Sequence, residues 1–164
     1  MKLGLMILDL QKEYYKGYTK ESMDDAVDYI NEVIPYFRKM NWPIIWIQDI
    51  NEEDGVILGA ESFEFIDSLK PEEGDYRIHK SYSNSFNKTD LTDILKKHSI
   101  ETVVLSGFCA EYCVLSTYHG AQDHDFTPIM LQNGLASLNK DNLHFVERIC
   151  DQVSYTMLST ITKD

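Results

Sequence analysis

Apolar residues recur along the chain in short runs that are rich in β-branched and aromatic side chains. Four runs are too short for helices and are bounded by polar or turn residues, at Leu3–Leu8 and at residues 43–47, 102–105 and 126–131. A shorter one, residues 76–78, precedes Lys80. Because these runs are continuously apolar rather than alternating, we predict strands that are buried on both faces.

A different periodicity separates the first two runs. Its apolar positions step by four, three, four and three, which places them on one face of a helix: Met23, Val27, Ile30, Ile34 and Phe37. Thr19 or Ser22 is placed to cap this helix. The pattern predicts further helices after Thr89, across residues 113–122, and through Leu143, Val146 and Ile149.

Strands and helices alternate along the whole chain. Alternation with buried strands indicates right-handed crossovers and an open parallel sheet between two layers of helices, which is an α/β fold. A length of 164 residues suits one domain, residues 1–164, because domains most often have roughly 100–150 residues.

The composition excludes several classes of partner. Hydrophobic residues make up 43%, and 27 acidic against 15 basic residues give a net charge of −12, so phosphate backbones and anionic lipids are repelled. We therefore expect neither nucleic acid nor membrane as a partner. The apolar N-terminal run is shorter than the ~20 residues of a membrane span, and no cleavage site follows it. The three cysteines form no CxxC pair, which favours a reducing, cytoplasmic location.

Residues 51–74 are acidic and do not fit the sheet pattern. We expect an excursion over the surface, either a solvated face or a lid.

Three chemically useful residues follow predicted strands: Asp9, Lys80 and, beyond a glycine-containing loop, Cys113. Ligands of open parallel sheets bind beyond the carboxyl ends of the strands. Cys113 lies where a helix is predicted to begin, so we expect free N–H groups and the helix dipole to lower its thiol pKa. A lysine beside a thiol and a carboxylate would hold the thiolate and orient the acid.

The motifs around these residues resemble those of the isochorismatase-like cysteine hydrolases, which include nicotinamidases and N-carbamoyl amidases. The resemblance covers nearly the whole chain and rests on three motifs in order: Asp9-Leu10-Gln11 with Tyr14; Lys80 with Ser85-Phe86, Thr89 and Leu91; and Gly107 through Cys113-Val114 with Thr117 and Ala121.

The resemblance implies a three-layer, Rossmann-like sandwich with a mostly parallel six-stranded sheet, and a catalytic triad of Asp9, Lys80 and Cys113. It implies cleavage of a small amide, ureido or carbamoyl C–N bond through a thioester. It also implies a cis peptide bond between Phe108 and Cys109 beside an oxyanion site. The side chains that we expect to bind the small-molecule substrate are Gln11, Tyr14, Phe86 and Tyr112.

Nicotinamidases of this family hold a metal through an Asp-x-His motif, where this chain has Asp49 and Asn51. We therefore expect no metal and no cofactor. The family also implies a homo-oligomer, a dimer or tetramer. A thiol redox protein that uses Cys109 and Cys113, or a non-catalytic ligand-binding relative, is the alternative.

Overall fold

Six parallel strands form one sheet in the computed structural model, which describes residues 2–163. The spatial order is β3-β2-β1-β4-β5-β6, and every pair of neighbours in the sheet is parallel. The strands are β1 Leu3–Leu8, β2 Ile44–Asp49, β3 Tyr76–Lys80, β4 Thr102–Gly107, β5 Thr127–Leu135 and β6 Gln152–Val153. The predicted α/β class and the six-stranded sheet are confirmed.

Five α-helices cover the two faces of this sheet. They are α1 Gly17–Lys39, α2 Leu91–Lys97, α3 Leu115–Asp123, α4 Lys140–Ile149 and α5 Tyr155–Ile161. Helices α1 and α5 share one buried cluster with Leu5 and Ile7 of β1, and α2, α3 and α4 share the other with Met6 and Leu8. Successive strand residues point to opposite faces, so one apolar strand supplies both cores. Within residues 2–163, no helix combines the length and apolar character needed to cross a membrane.

Helix α1 begins earlier than the sequence predicted, and neither proposed cap residue occupies the N-cap position. The N-cap is Lys16, and Thr19 lies in the first turn, where its hydroxyl donates to the carbonyl oxygen of Lys16 at 2.6 Å. Ser22 is buried inside the helix, and its Oγ accepts a hydrogen bond from the backbone N–H of Ser137. Ser22 therefore fixes the chain after β5 rather than the start of α1.

Two C-terminal elements and one local distortion were not predicted. Strand β6 has only two residues and α5 has seven, too few for a periodic pattern to be visible. Residues Ala110–Val114 form a π-helical turn ahead of α3, so regular helix begins at Leu115 rather than at Cys113.

Residues 51–74 lie outside the sheet as expected, but they are anchored to the protein by their apolar side chains. The segment contains two short 3₁₀ turns, and its buried residues are Val56, Phe63, Phe65, Ile66 and Leu69. The carbonyl oxygen of Phe63 accepts hydrogen bonds from the side chains of Gln11 and Gln48. The acidic residues of the segment conceal this apolar set in the sequence.

The carboxyl ends of β3, β2, β1 and β4 lie side by side at one edge of the sheet. The chain runs outward from β1 to β2 and β3 on one side of the sheet, and from β4 to β5 and β6 on the other. A crevice forms between β1 and β4, where the direction reverses. Asp49 pairs with Lys80 in the strand register, and Leu8 pairs with Gly107. Residues at these four strand ends are therefore held within reach of one another.

Gly107 lies directly against the backbone of Leu8 in β1. Its φ of +110° disfavours any side chain, and a Cβ there would lie 2.6 Å from the backbone nitrogen of Leu8 and overlap the Leu8 carbonyl oxygen. We expect Gly107→Ala to lower the free energy of unfolding by at least about 3 kcal/mol, measured by urea denaturation.

The matched control is Gly59→Ala. Gly59 has a φ of +85°, and no other atom lies within 4 Å of the place that an added Cβ would take, so only backbone strain of about 1–2 kcal/mol is expected. Equal losses in the two variants would contradict the close approach of β4 to β1.

Candidate active site

The buried ammonium of Lys80 is the centre of the cluster at this edge. Its Nζ lies 2.8 Å from Asp9 Oδ2 and 3.1 Å from Asp49 Oδ1. The same atom lies 3.4 Å from Cys113 Sγ. One cation thus contacts two carboxylates and a thiol, each from a different strand end or turn.

The charges of the cluster are set by burial and by these contacts. Burial raises the pKa of Asp9 to about 6, although the Lys80 ammonium opposes the change, so the carboxylate is ionised at neutral pH. Burial alone would lower the pKa of Lys80, but Asp9, Cys113 and Asp49 together raise it. Lys80 therefore stays charged.

The expectation of a depressed thiol pKa for Cys113 is contradicted. Burial and the charge of Asp9 raise the pKa of Cys113 to about 12, and Lys80 offsets only part of that rise. The residue lies within the π-helical turn rather than at the start of regular helix, and it faces a carboxylate. At neutral pH the site therefore holds a neutral thiol beside an ionised base.

Asp9 is placed to accept a proton. Asp9 is 1% exposed, and it follows β1 with a backbone φ of 53°. Within residues 2–163 its carboxylate contacts the Lys80 ammonium and the Cys113 thiol, and no other group donates a hydrogen bond to it. The carboxylate thus retains lone pairs for a proton from the thiol or from a ligand.

Asp49 is a member of the cluster that sequence reasoning did not assign to the triad. Its Oδ1 accepts from Lys80, and its Oδ2 accepts from the Tyr14 hydroxyl at 3.1 Å. The signal was present, because Asp49 ends an apolar strand just as Asp9 follows one. In the sequence, Asp49 stands out only as the first residue of an incomplete Asp-x-His metal motif.

One backbone amide of the loop after β4, that of Cys109, remains as a hydrogen-bond donor in the cavity lining. The peptide bond between Phe108 and Cys109 is cis. The N–H of Phe108 donates to the Leu8 carbonyl and that of Ala110 to the Ala136 carbonyl, whereas the N–H of Cys109 between them has no acceptor among the described residues. This amide is available to a ligand oxygen.

Glu111 fixes this loop from behind. Its carboxylate accepts hydrogen bonds from the Cys109 thiol at 2.9 Å, the Ser137 hydroxyl at 2.9 Å and the Asn142 amide at 2.8 Å. Burial and the adjacent Glu111 carboxylate raise the pKa of Cys109. The second thiol is therefore held neutral by a contact of its own.

A cavity of about 460 Å³ opens onto Asp9 and Cys113. Of the predicted substrate-contacting residues and the oxyanion loop, Tyr14, Phe108, Cys109 and Tyr112 line it. The rings of Tyr14 and Phe108 contact each other with centroids 5.2 Å apart. The two rings are inclined by 39° and form an aromatic wall of the cavity that Cys113 also lines.

Gln11 and Phe86 do not line this cavity, so their predicted substrate contacts are not observed. Gln11 is fully buried: its Nε2 donates to the carbonyl oxygens of Asp49 and Phe63, and its Oε1 accepts from the Asp49 N–H. Phe86 is buried in the second core, stacked on Phe126. Gln11 positions the end of β2, and Phe86 anchors the loop after β3 by packing.

The chain matches a known protein family over most of its length. A family model described as Isochorismatase domain matches residues 4–150. The chain belongs to the isochorismatase family. It is therefore an isochorismatase-family hydrolase.

Several relatives of the family align with the chain. An isochorismatase family protein of Bacillus subtilis is 26% identical over 139 residues, which are 83% of this chain and 74% of the relative. The secreted isochorismatase effector of Verticillium dahliae is 33% identical over 122 residues, which are 72% of this chain and 64% of the relative. The maleamate amidohydrolase of Pseudomonas putida is 23% identical over 97 residues, which are 59% of this chain and 46% of the relative.

Solved structures of the family share the fold. An isochorismatase-like hydrolase from Alkaliphilus metalliredigens superposes with a TM-score of 0.86 at 22% identity, covering 98% of this chain and 99% of that one. The N-carbamoylsarcosine amidase from Thermoplasma acidophilum has a TM-score of 0.81 at 25% identity, covering 94% and 95% of the two chains.

The metal site of some family members does not fit the residues present here. Both oxygens of Asp49 already accept hydrogen bonds, and the Asn51 side chain bonds to Asp54. Within residues 2–163, no three His, Cys, Asp or Glu side chains are grouped to hold a metal ion. Zinc prefers nitrogen and sulfur donors, and this end of β2 supplies a carboxylate and an amide instead.

The charge arrangement predicts the protonation state of Cys113. We label the cysteines with ¹³C at Cβ and follow the chemical shift of the Cys113 signal. We expect this shift to remain that of a neutral thiol between pH 6 and 9. Asp9→Asn should lower the midpoint of titration because it removes a negative charge, and Lys80→Met should raise it.

Cys150 serves as the internal reference, since it lies outside the cluster, and Cys113→Ala assigns the signal. A thiolate shift for Cys113 at pH 7 would restore the expectation of a depressed pKa.

Proposed function

We propose that this isochorismatase-family hydrolase cleaves the C–N bond of a small amide, ureido or carbamoyl substrate through a thioester on Cys113. The observation that carries the proposal is the placement of Lys80 between Asp9 and Cys113. The Asp9 carboxylate is ionised, and within residues 2–163 it contacts the Cys113 thiol as well as the Lys80 ammonium, so it suits a general base. The neutral thiol suits a nucleophile that is activated only during attack.

In the first step, the sulfur of Cys113 forms a bond to the substrate carbonyl carbon. Asp9 takes the thiol proton, and the carbonyl oxygen becomes an oxyanion. The free N–H of Cys109 donates to that oxyanion. Lys80 stays charged and steadies the cluster while the proton moves from sulfur to carboxyl.

In the second step, the tetrahedral intermediate collapses and the C–N bond breaks. Asp9 passes its proton to the leaving nitrogen, which departs as ammonia or an amine, and the acyl group stays on sulfur as a thioester. A water molecule then attacks the thioester carbonyl as Asp9 takes its proton. The C–S bond breaks, the proton returns to the sulfur, and the acid product leaves.

Relatives that are named for amide hydrolysis support the proposal of C–N cleavage. Proteins named for maleamate and N-carbamoylsarcosine amidohydrolysis align with or superpose on this chain. A redox pair of Cys109 and Cys113 is not favoured, because both thiols have raised pKa values and thiol exchange requires a thiolate.

Self-association remains our proposal for the assembly, and the cytoplasmic location stays a prediction. Tyr112 and Leu138 line the cavity and are 60% and 47% exposed. A neighbouring subunit that covers these two side chains would narrow the entrance.

Substitution of the two loop cysteines separates their roles. In an assay of ammonia release from a panel of small amides, ureas and carbamoyl compounds, we expect Cys113→Ala to reduce turnover at least about 1,000-fold. Cys109→Ala should retain turnover within roughly fivefold, because only its backbone N–H is used. Activity that survives in Cys113→Ala but not in Cys109→Ala would overturn the assignment.

The acid limb of the pH profile tests Asp9. A general base works only when deprotonated, and the pKa of Asp9 is raised to about 6. We expect kcat/KM to fall below pH 6, by about tenfold per unit. Circular dichroism at pH 5 is the control for unfolding. Constant kcat/KM down to pH 5 with the fold intact would exclude Asp9 as the base.

A further inference from the structure

We propose that the cavity selects amides whose acyl part carries no carboxylate, and that it favours ammonium-bearing amides over carboxylate-bearing ones of equal size. The inference rests on the proposed function and names the substrate class of the same site. It follows from the charges that face the cavity.

The walls of the cavity bear carboxylates and no cation. Asp9, Asp49 and Asp54 line it, whereas no Lys, Arg or His does so among the residues that the structure describes. The other polar groups of the lining are uncharged: Asn51, Ser81, Tyr82 and Ser83, with Tyr14 and Tyr112. These groups can hydrogen-bond to a substituent of any charge, but none of them carries the positive charge that would offset a substrate carboxylate among Asp9, Asp49 and Asp54.

The nearest buried cation is not available to a substrate. Lys80 contacts Asp9 and Asp49 at 2.8 and 3.1 Å, so its charge is already opposed by two carboxylates. With Cys113 neutral, the cluster carries one net negative charge. An anionic substrate would meet repulsion in a partly desolvated site, where Coulomb energies are several times those in water.

Asp54 adds a second negative charge at the mouth. It is exposed, and its position is fixed by Asn51: the Asn51 Nδ2 donates to Asp54 Oδ2 at 2.7 Å, and the Asp54 N–H donates to Asn51 Oδ1 at 3.3 Å. Asp54 and Cys113 line the same cavity, so the Asp54 charge acts on a substrate that occupies it. Asp54 is therefore placed to act on substrate charge without a part in the bond-breaking steps.

Lys88 is a cation near the rim. Its Nζ donates to the Tyr82 hydroxyl at 2.8 Å and lies 5.0 Å from the centre of the Tyr82 ring. Lys88 is exposed and does not line the cavity. Asp54 is also exposed, but it lines the cavity and Lys88 does not, so the Lys88 charge is separated from a bound substrate by screening solvent and by the Tyr82 side chain.

The first experiment uses three amides of equal length: pentanamide, 4-aminobutanamide and succinamate. We expect kcat/KM for 4-aminobutanamide to equal or exceed that for pentanamide, and both to exceed that for succinamate by at least about tenfold. Asp54→Asn should narrow the ratio between the cationic and anionic amides. Asp123→Asn removes the same charge from the exposed end of α3 and should leave that ratio unchanged.

The results distinguish a failure of the proposed amide hydrolysis from a failure of the proposed charge selection. If none of the three amides, nor any member of the wider panel, releases ammonia, the proposed function fails. If amides are cleaved and succinamate is the best of the three, the function stands and the charge selection is wrong.

A second experiment needs no substrate. Cys113 is treated with two methanethiosulfonate reagents, one bearing a trimethylammonium group and one a sulfonate. In each reaction the sulfur displaces methanesulfinate and forms a mixed disulfide.

Each rate is divided by the rate of the same reagent with 2-mercaptoethanol, and peptide mapping confirms that Cys113 is the modified residue. We expect the trimethylammonium reagent to modify Cys113 at least about tenfold faster than the sulfonate reagent. Asp54→Asn should reduce that preference, and Asp123→Asn should not. A preference for the sulfonate reagent at Cys113 would overturn the inference even if amidase activity were established.

Discussion

The structure depends on one buried ion cluster, in which the ammonium of Lys80 joins the carboxylates of Asp9 and Asp49. A buried charge is costly unless it is paired, and loss of one partner from such a pair typically costs about 3–5 kcal/mol. The three residues follow or end β1, β2 and β3. These strands must therefore end in register for the charges to meet, so the same interaction constrains the sheet and forms the site.

The cluster also explains why the thiol is neutral at rest. Lys80 shares its charge among two carboxylates and Cys113, so the thiolate receives too little stabilisation to offset its burial. The proton therefore rests on the sulfur of Cys113 rather than on Asp9. In the proposed mechanism, reactivity is coupled to substrate binding, because attack and proton transfer occur together.

The π-helical turn brings the remaining parts to this cluster. It carries Cys113 toward Lys80, and the Cys109 thiol at its start bonds to Glu111 while the Cys109 N–H stays available to a ligand. Glu111 binds Ser137 in the loop after β5 and Asn142 in the first turn of α4. The cavity therefore has a wall of fixed backbone on one side and the paired ends of β2 and β3 on the other.

Elements with strong local patterns could be predicted from the order of residues alone, whereas the contacts of the site could not. The apolar run Leu3–Leu8 is β1, and the helical stepping lies within α1, since both patterns reflect burial that is set residue by residue. Strand ends together with three motifs indicated Asp9, Lys80 and Cys113, which the structure brings into contact. Polar residues after parallel strands converge on one edge, so this much can be inferred without coordinates. Gln11 and Phe86 belong to the family motifs, yet they contact Phe63 and Phe126 rather than the cavity. The pKa of Cys113 is set by burial and by Asp9, which is distant in the chain. A sequence gives the type and order of its charges, but their energies depend on distance and desolvation, which exist only once the chain is folded.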